Sequence, residues 1–210
     1  TSPTPCWPVS RKGVGPVRQG DVLNGYRVIN EPSTAGAGMS EWAVAERGGV
    51  EYFLKRFLAP RYPAPGAPGS PAGKARRRAE CDRFEQRHLT ILRRLADEGP
   101  GSGNLVRTLA FFRVDASYYK VTELFDDEGR VAPAALPPAA TAIVIRTLLV
   151  SLRCLHERGV VHGDLKPENV LLQRTRGGAV TSKVIDFDDA FVTGAPPEPE
   201  RLIGDPRFYA

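Results

Sequence analysis

Val161-His162-Gly163-Asp164-Leu165-Lys166-Pro167-Glu168-Asn169-Val170-Leu171-Leu172, followed by Val184-Ile185-Asp186-Phe187-Asp188, is the stretch on which the fold turns. It puts Asp164, Lys166 and Asn169 on one short loop, and a further carboxylate, Asp186, after a short apolar strand. Asp and Asn oxygens suit Mg²⁺, which keeps several waters and takes only one or two carboxylates beside phosphate oxygens. Lys166 supplies a point charge for phosphate, and a second carboxylate outside the metal's shell can accept a proton from an attacking hydroxyl.

Working outward, the chain before this stretch is rich in strands. Residues 1–20, with Pro3, Pro5, Pro8 and Pro16, lack periodicity and read as a tail or linker. Strands are expected at Tyr26–Asn30, Glu41–Glu46 and Val50–Phe57, with the small-residue turn Ser33–Gly38 between the first two and Arg47-Gly48-Gly49 between the last two. Ala59 to Gly73 carries too many Pro and Gly residues to propagate a helix or a ladder and reads as an exposed insertion. Lys74 to Asp97 then places Phe84, Leu89, Leu92 and Leu95 at spacings that suit one helical stripe. Two more strands follow, near Leu105–Arg113 and Tyr118–Leu124, and a helix over Ala139–Glu157 with Ile145, Leu148, Leu149, Leu152 and Leu155 on one side. Val170–Leu172 and Lys183–Ile185 are short strands around the turn Arg174–Gly178.

Composition excludes several classes. The chain has 210 residues with 29 basic and 24 acidic side chains, and 41% hydrophobic residues supply a core, which excludes disorder and collagen. The net charge of +5 is concentrated in the N-terminal half, much of it in one helical stretch, Lys74 to Arg94. No aromatic platform is interleaved with it, so a solvated helix face is preferred and no nucleic-acid partner is expected. Cys6, Cys81 and Cys154 form neither a C-x-x-C pair nor a disulfide framework, which fits a reducing, cytoplasmic compartment. The longest apolar run, Thr141–Val150, is interrupted by Arg146 and falls short of the roughly 20 residues a membrane span requires, so no span is expected.

With these motifs in order, the chain from about Tyr26 to Ala210 resembles the eukaryotic-like serine/threonine protein kinases. The resemblance implies an α+β, bilobal protein-kinase-like fold, with an N-lobe of antiparallel sheet plus one helix over 21–122 and a hinge and mainly helical, truncated C-lobe over 123–210. It implies that Asp164 is the catalytic aspartate, Lys166 the lysine beside the transferred phosphate, and Asn169 and Asp186 the Mg²⁺ ligands. Lys55, in Tyr52-Phe53-Leu54-Lys55, stands where the family's third-strand lysine meets the α and β phosphates of ATP, and Glu85 is its partner, with Glu80 the other candidate. Gly36 and Gly38 lie in the phosphate-covering loop, although no register spells G-x-G-x-x-G. Val121-Thr122-Glu123-Leu124-Phe125 resembles the hinge, with Thr122 as gatekeeper and the backbones of Glu123 and Phe125 receiving the base. The implied reaction is transfer from Mg-ATP to Ser or Thr of a protein substrate.

Four departures stand beside the resemblance. Gly163 replaces the arginine that clamps a phosphorylated activation loop, and from Asp186 to Ala210 the only Ser or Thr is Thr193, so constitutive competence is expected. Asp188 replaces the glycine of D-F-G, and Asp189 follows it. Asp205 stands where the family usually has threonine, and the sequence stops at Tyr209-Ala210, which implies further domains of a longer polypeptide. The His-Gly-Asp and Ile-Asp-Phe-Asp-Asp runs also resemble aminoglycoside and choline phosphotransferases, but Lys166-Pro167-Glu168-Asn169 favours a protein substrate. A pseudokinase binding module is the third reading, opposed by the intact Lys55, Asp164, Asn169 and Asp186.

Overall fold

The computed structural model describes residues 15–36, 38–96, 102–125, 129–175, 177–197 and 206–208. Readings that involve residues 1–14, Ala37, the Gly-Pro-Gly run at 99–101, Asp205 and Tyr209-Ala210 lie outside the described residues. The chain divides into two compact units: residues up to Glu85 with Thr108–Leu124, and Gln86–Arg107 with the chain from Phe125 onward.

The first unit is built on a six-stranded antiparallel sheet. Its strands are β1 (Val22–Leu23), β2 (Tyr26–Val28), β3 (Ser40–Arg47), β4 (Val50–Phe57), β5 (Thr108–Val114) and β6 (Ser117–Glu123), in the order β1-β2-β3-β4-β6-β5. The β3–β4 hairpin pairs eight residues from Ser40↔Phe57 to Arg47↔Val50. Its two-residue turn works because Gly48 and Gly49 both take positive φ, 65° and 79°, the requirement of the turn type that matches strand twist. One face of the sheet buries Leu23, Tyr26, Val28, Ala43, Ala45, Leu54, Tyr119 and Val121. The other carries an aromatic group, in which Phe84 lies 5.1 Å from Phe57 and 5.2 Å from Tyr118 between ring centroids. Each expected strand is present in this unit, but the one expected at Leu105–Arg113 begins only at Thr108, because Leu105 enters the core of the second unit, and β1 is too short for alternation to show.

Helix α1 (Pro71–Arg94) starts three residues before the expected Lys74. Pro71 at the first helical position loses no bond that the helix needs, and Ser70 caps it, accepting from Gly73 N–H at 3.1 Å through its hydroxyl. Cys81, Phe84, His88, Ile91 and Leu95 make the inward stripe, with Cys81, His88, Ile91 and Leu95 buried. The expected stripe is thus rotated: Leu89 and Leu92 are only half-buried because Cys81 and His88 carry positions that an apolar count skips. Earlier in the insertion, Tyr62 is tied to the β5–β6 turn by its N–H to the Ala116 carbonyl (2.9 Å) and by the Arg113 guanidinium 4.2 Å over its ring.

The second unit centres on α2 (Pro138–Glu157), which buries Val144, Ser151, Cys154 and Leu155. Ile145 and Leu149, expected on the buried side, are 53% and 61% exposed. The reason lies in how α2 docks on β9 (Val180–Val184), which pairs with β8 (Val170–Arg174). Thr147 Oγ1 lies 2.8 Å from Ser182 Oγ and accepts from Ser182 N–H at 3.1 Å, and Ser182 Oγ donates to the Val144 carbonyl at 3.3 Å. Hydroxyl bonds rather than the most apolar residues fix the rotation. By length and composition α2 is long and apolar enough to cross a bilayer, where the sequence pattern led to the expectation of no such stretch. Its bonds to β9 and its place in a core with Ile91, Leu95, Leu105, Val160, Val184 and Phe187 make it a packed helix of this unit. Finally β7 (Val160–Val161) pairs with β10 (Phe191–Val192). The two antiparallel pairs, β7–β10 and β8–β9, bound the loops 162–169 and 185–190.

Candidate active site

Loop 162–169 is assembled around His162, which is buried. His162 Nε2 donates to the Ile185 carbonyl at 2.8 Å, and its Nδ1 accepts from Asp164 N–H at 3.3 Å, which fixes one neutral tautomer. The ring packs 5.0 Å from Phe187 between centroids. One imidazole therefore joins the loop that carries Asp164 to the loop that carries Asp186.

Asp164 is the focus of the polar contacts. Lys166 Nζ lies 2.7 Å from Asp164 Oδ2, and Asn169 Nδ2 donates to the same oxygen at 3.0 Å and to the Asp164 carbonyl at 2.8 Å. A short turn of 3₁₀ helix, Pro167–Asn169, makes this possible, closed by Asn169 N–H on the Lys166 carbonyl at 2.9 Å. Since Asn169 uses its amide nitrogen here, its amide oxygen is the atom suited to a hard cation. Ile185 N–H donates to the Asn169 carbonyl at 3.0 Å, so Asp186 begins directly beside Asn169.

Asp186 has φ 59°, in the left-handed region. Among the described residues the other two non-glycine cases, Asn24 and Asp115, sit in hairpin turns, where that conformation is ordinary. Asp186 sits in no hairpin, and an aspartate held there costs on the order of 1–3 kcal/mol, a feature typical of functional positions. Among the described residues no group of three or more His, Cys, Asp or Glu side chains is placed to hold a metal. The donor set that does exist, one carboxylate and one amide oxygen, fits Mg²⁺ completed by water and phosphate oxygens.

Next along the chain, the Asp189 carboxyl is pushed up to about 6, by burial first and by Asp188 second, while Arg87 on α1 pulls it down. Gly163, with φ +79°, lies against the Asp189 backbone.

The remaining predicted positions are in the first unit, Phe125 excepted. Lys55 is 9% exposed on β4, directly opposite Trp42 on β3 and Lys120 on β6. Glu85 on α1 acts electrostatically on Tyr118, whose phenol burial holds above its ordinary range. Gly36 and Gly38 have φ 67° and 55°, and a Cβ at either would meet nothing, so they serve the loop's conformation rather than close packing. Glu123 ends β6, and its carbonyl accepts from Thr122 Oγ1 at 3.3 Å. Phe125, in the second unit, has Lys183 Nζ 4.8 Å from its ring centroid.

Two residues were missed in the sequence. Trp42 ties the small-residue loop down: its backbone exchanges two 2.8 Å bonds with Ser33, and its Nε1 donates to the Ala35 carbonyl at 3.0 Å. Register also puts it on the Lys55 face of the β3–β4 pair. Lys120 is 4% exposed beside Lys55, a burial that nothing in Ser117–Glu123 announces, because β6 is covered on both faces.

Residues 74–210 match the protein kinase domain family. Among curated relatives, the serine/threonine-protein kinase Pkn1 of Myxococcus xanthus is 34% identical over 118 residues, 52% of this chain and 17% of its own length. A calcium/calmodulin-dependent protein kinase type I of Schizosaccharomyces pombe is 35% identical over 108 residues, covering 50% and 31%. The homeodomain-interacting protein kinase 4 of Mus musculus is 32% identical over 117 residues, covering 52% and 19%. In each case the match spans less than a third of the relative's length. A crystal structure of a kinase domain superposes with a TM-score of 0.56 at 16% identity, covering 88% of this chain and 57% of the other, a likeness of fold.

Proposed function

The chain belongs to the protein kinase domain family, and from that premise we propose that it forms part of an enzyme that transfers the γ-phosphoryl group of Mg-ATP to Ser or Thr hydroxyls of a protein substrate. The observation that carries the reading is the Asp164–Lys166–Asn169 constellation, one carboxylate oxygen receiving both an ammonium and an amide, set beside Asp186. Protein rather than small-molecule substrate is supported by Lys166-Pro167-Glu168-Asn169 and by relatives that are themselves named protein kinases.

Asp164 accepts the proton of the attacking hydroxyl, and its bonds to Lys166 and Asn169 hold the carboxylate in one orientation while it does so. Lys166, at the same carboxylate, places positive charge where the phosphoryl group passes. Asp186 and the Asn169 amide oxygen would hold Mg²⁺, which supplies charge neutralisation across the β and γ phosphates. Lys55 contacts the α and β phosphates with Glu85 as its partner, the backbone of 33–40 covers them, and the backbones of Glu123 and Phe125 take the base. The proposed lobes are 21–122 and 123–210, a division that differs from the two compact units in that Gln86–Arg107 belongs to the second unit. Cys81 and Cys154, both buried thiols, support a reducing cytoplasm.

The test is nucleotide binding by isothermal calorimetry with and without Mg²⁺. Asp186→Asn is expected to remove the Mg²⁺ dependence and leave metal-free binding within about threefold. An unchanged Mg²⁺ response in Asp186→Asn would refute the metal assignment.

A further inference from the structure

Pairing register places a second lysine directly beside Lys55. In the antiparallel β4–β6 pair Lys55 stands opposite Lys120, and in β3–β4 it stands opposite Trp42. Residues directly opposite share a face, about 4.5–5.5 Å apart at Cβ. Alternation along the strands puts Phe53 and Phe57 of β4, and Tyr118 of β6, on that same face. Ring contacts agree: Trp42 stacks on Phe53 at 5.6 Å between centroids, while Phe57 and Tyr118 both pack on Phe84 of α1. The two lysines, both buried, thus lie between an aromatic wall and Trp42. Trp42 also fastens the small-residue loop, since its indole Nε1 donates to the Ala35 carbonyl at 3.0 Å. Every one of these residues belongs to the first unit.

Like charges directly opposite each other weaken a sheet, and burial raises the free energy of each ammonium. A leucine or methionine at 120 would fill the same space without that penalty, so the second charge is kept against local stability, as happens where a residue serves function. A polyphosphate answers both charges at once, because its negative charge is spread over successive groups of one chain and each can take one ammonium. We propose that Lys120 is a second phosphate-binding residue, which joins Lys55 in holding the polyphosphate of the nucleotide beside the loop that Trp42 anchors. The proposal deepens the kinase reading and rests on it.

The experiment measures binding of adenosine, AMP, ADP, ATP and inorganic tripolyphosphate by isothermal calorimetry, on the protein that carries this chain, as wild type, Lys55→Met, Lys120→Met and the double variant. Wild-type affinity is expected to rise from AMP to ATP. Each single substitution should lower ATP affinity by about tenfold or more and leave adenosine affinity within about twofold. The double variant should bind ATP no more tightly than AMP. Methionine keeps the buried stem and removes the repulsion, so the melting temperature of Lys120→Met should equal or exceed that of wild type. Unchanged ATP affinity in Lys120→Met with a lowered melting temperature would make Lys120 a structural partner and overturn the proposal, as would equal losses for adenosine and ATP. A wild-type protein that binds tripolyphosphate, with the loss in Lys120→Met, but no adenine nucleotide would refute the kinase reading and uphold the second lysine. Binding of none of these ligands would overturn both.

Discussion

Asp164 takes three contacts from its own loop, one from Lys166 and two from Asn169. Lys166→Ala removes the ammonium at 2.7 Å and the charge beside the phosphoryl group, and is expected to lower kcat by about 10²–10³-fold with little change in nucleotide affinity. Pre-steady-state transfer kinetics check it. Asp189 carries a prediction in pH. In the metal-free protein its carboxyl should titrate near pH 6, above its ordinary value because of burial and then Asp188. Asp188→Asn should move the midpoint down and Arg87→Leu up, both read by carbon-detected NMR titration. Because the folded value is raised, ionising Asp189 opposes folding: the penalty is absent below the ordinary carboxylate range, grows as pH rises above it, and is full once pH has passed about 6. At this scale the site was well legible, since Asp164, Lys166 and Asn169 fall within six consecutive residues whose local turn brings them together. Trp42 and Lys120 were not, because their placement depends on register and on what covers the sheet.

Helix boundaries and rotations belong to the element scale. Ser70→Ala should cost α1 about 1 kcal/mol through loss of the cap on Gly73 N–H, read as a shift in urea midpoint without a change in slope. Thr147→Val leaves Ser182 N–H and Oγ without the hydroxyl they share between α2 and β9, and about 1–3 kcal/mol is expected by the same measurement. Ile145→Ala, by contrast, should cost well under 1 kcal/mol, as its side chain is over half exposed. These two results together test the observed rotation of α2 against the one its apolar residues suggested. Strands were legible because alternation and the Gly48-Gly49 turn are local signals. The helix faces were misread by one position because Cys81 and His88 on α1, and Thr147 and Ser151 on α2, sit inward without being strongly apolar.

For the whole molecule the question is whether two units, each with its own core, serve one reaction. Lys55, Glu85 and the small-residue loop lie in the first unit, and Asp164, Lys166, Asn169 and Asp186 in the second. The sharing of α1 between the units was not legible in the sequence, since it follows from Ile91 and Leu95 entering the second core. The most direct measurement is transfer of label from γ-labelled ATP to a protein substrate by the protein that carries this chain, with Asp164→Asn and Asp186→Asn beside wild type. The account predicts Mg²⁺-dependent labelling of Ser or Thr that each substitution reduces at least a hundredfold. Labelling that survives both substitutions at the wild-type rate would contradict it.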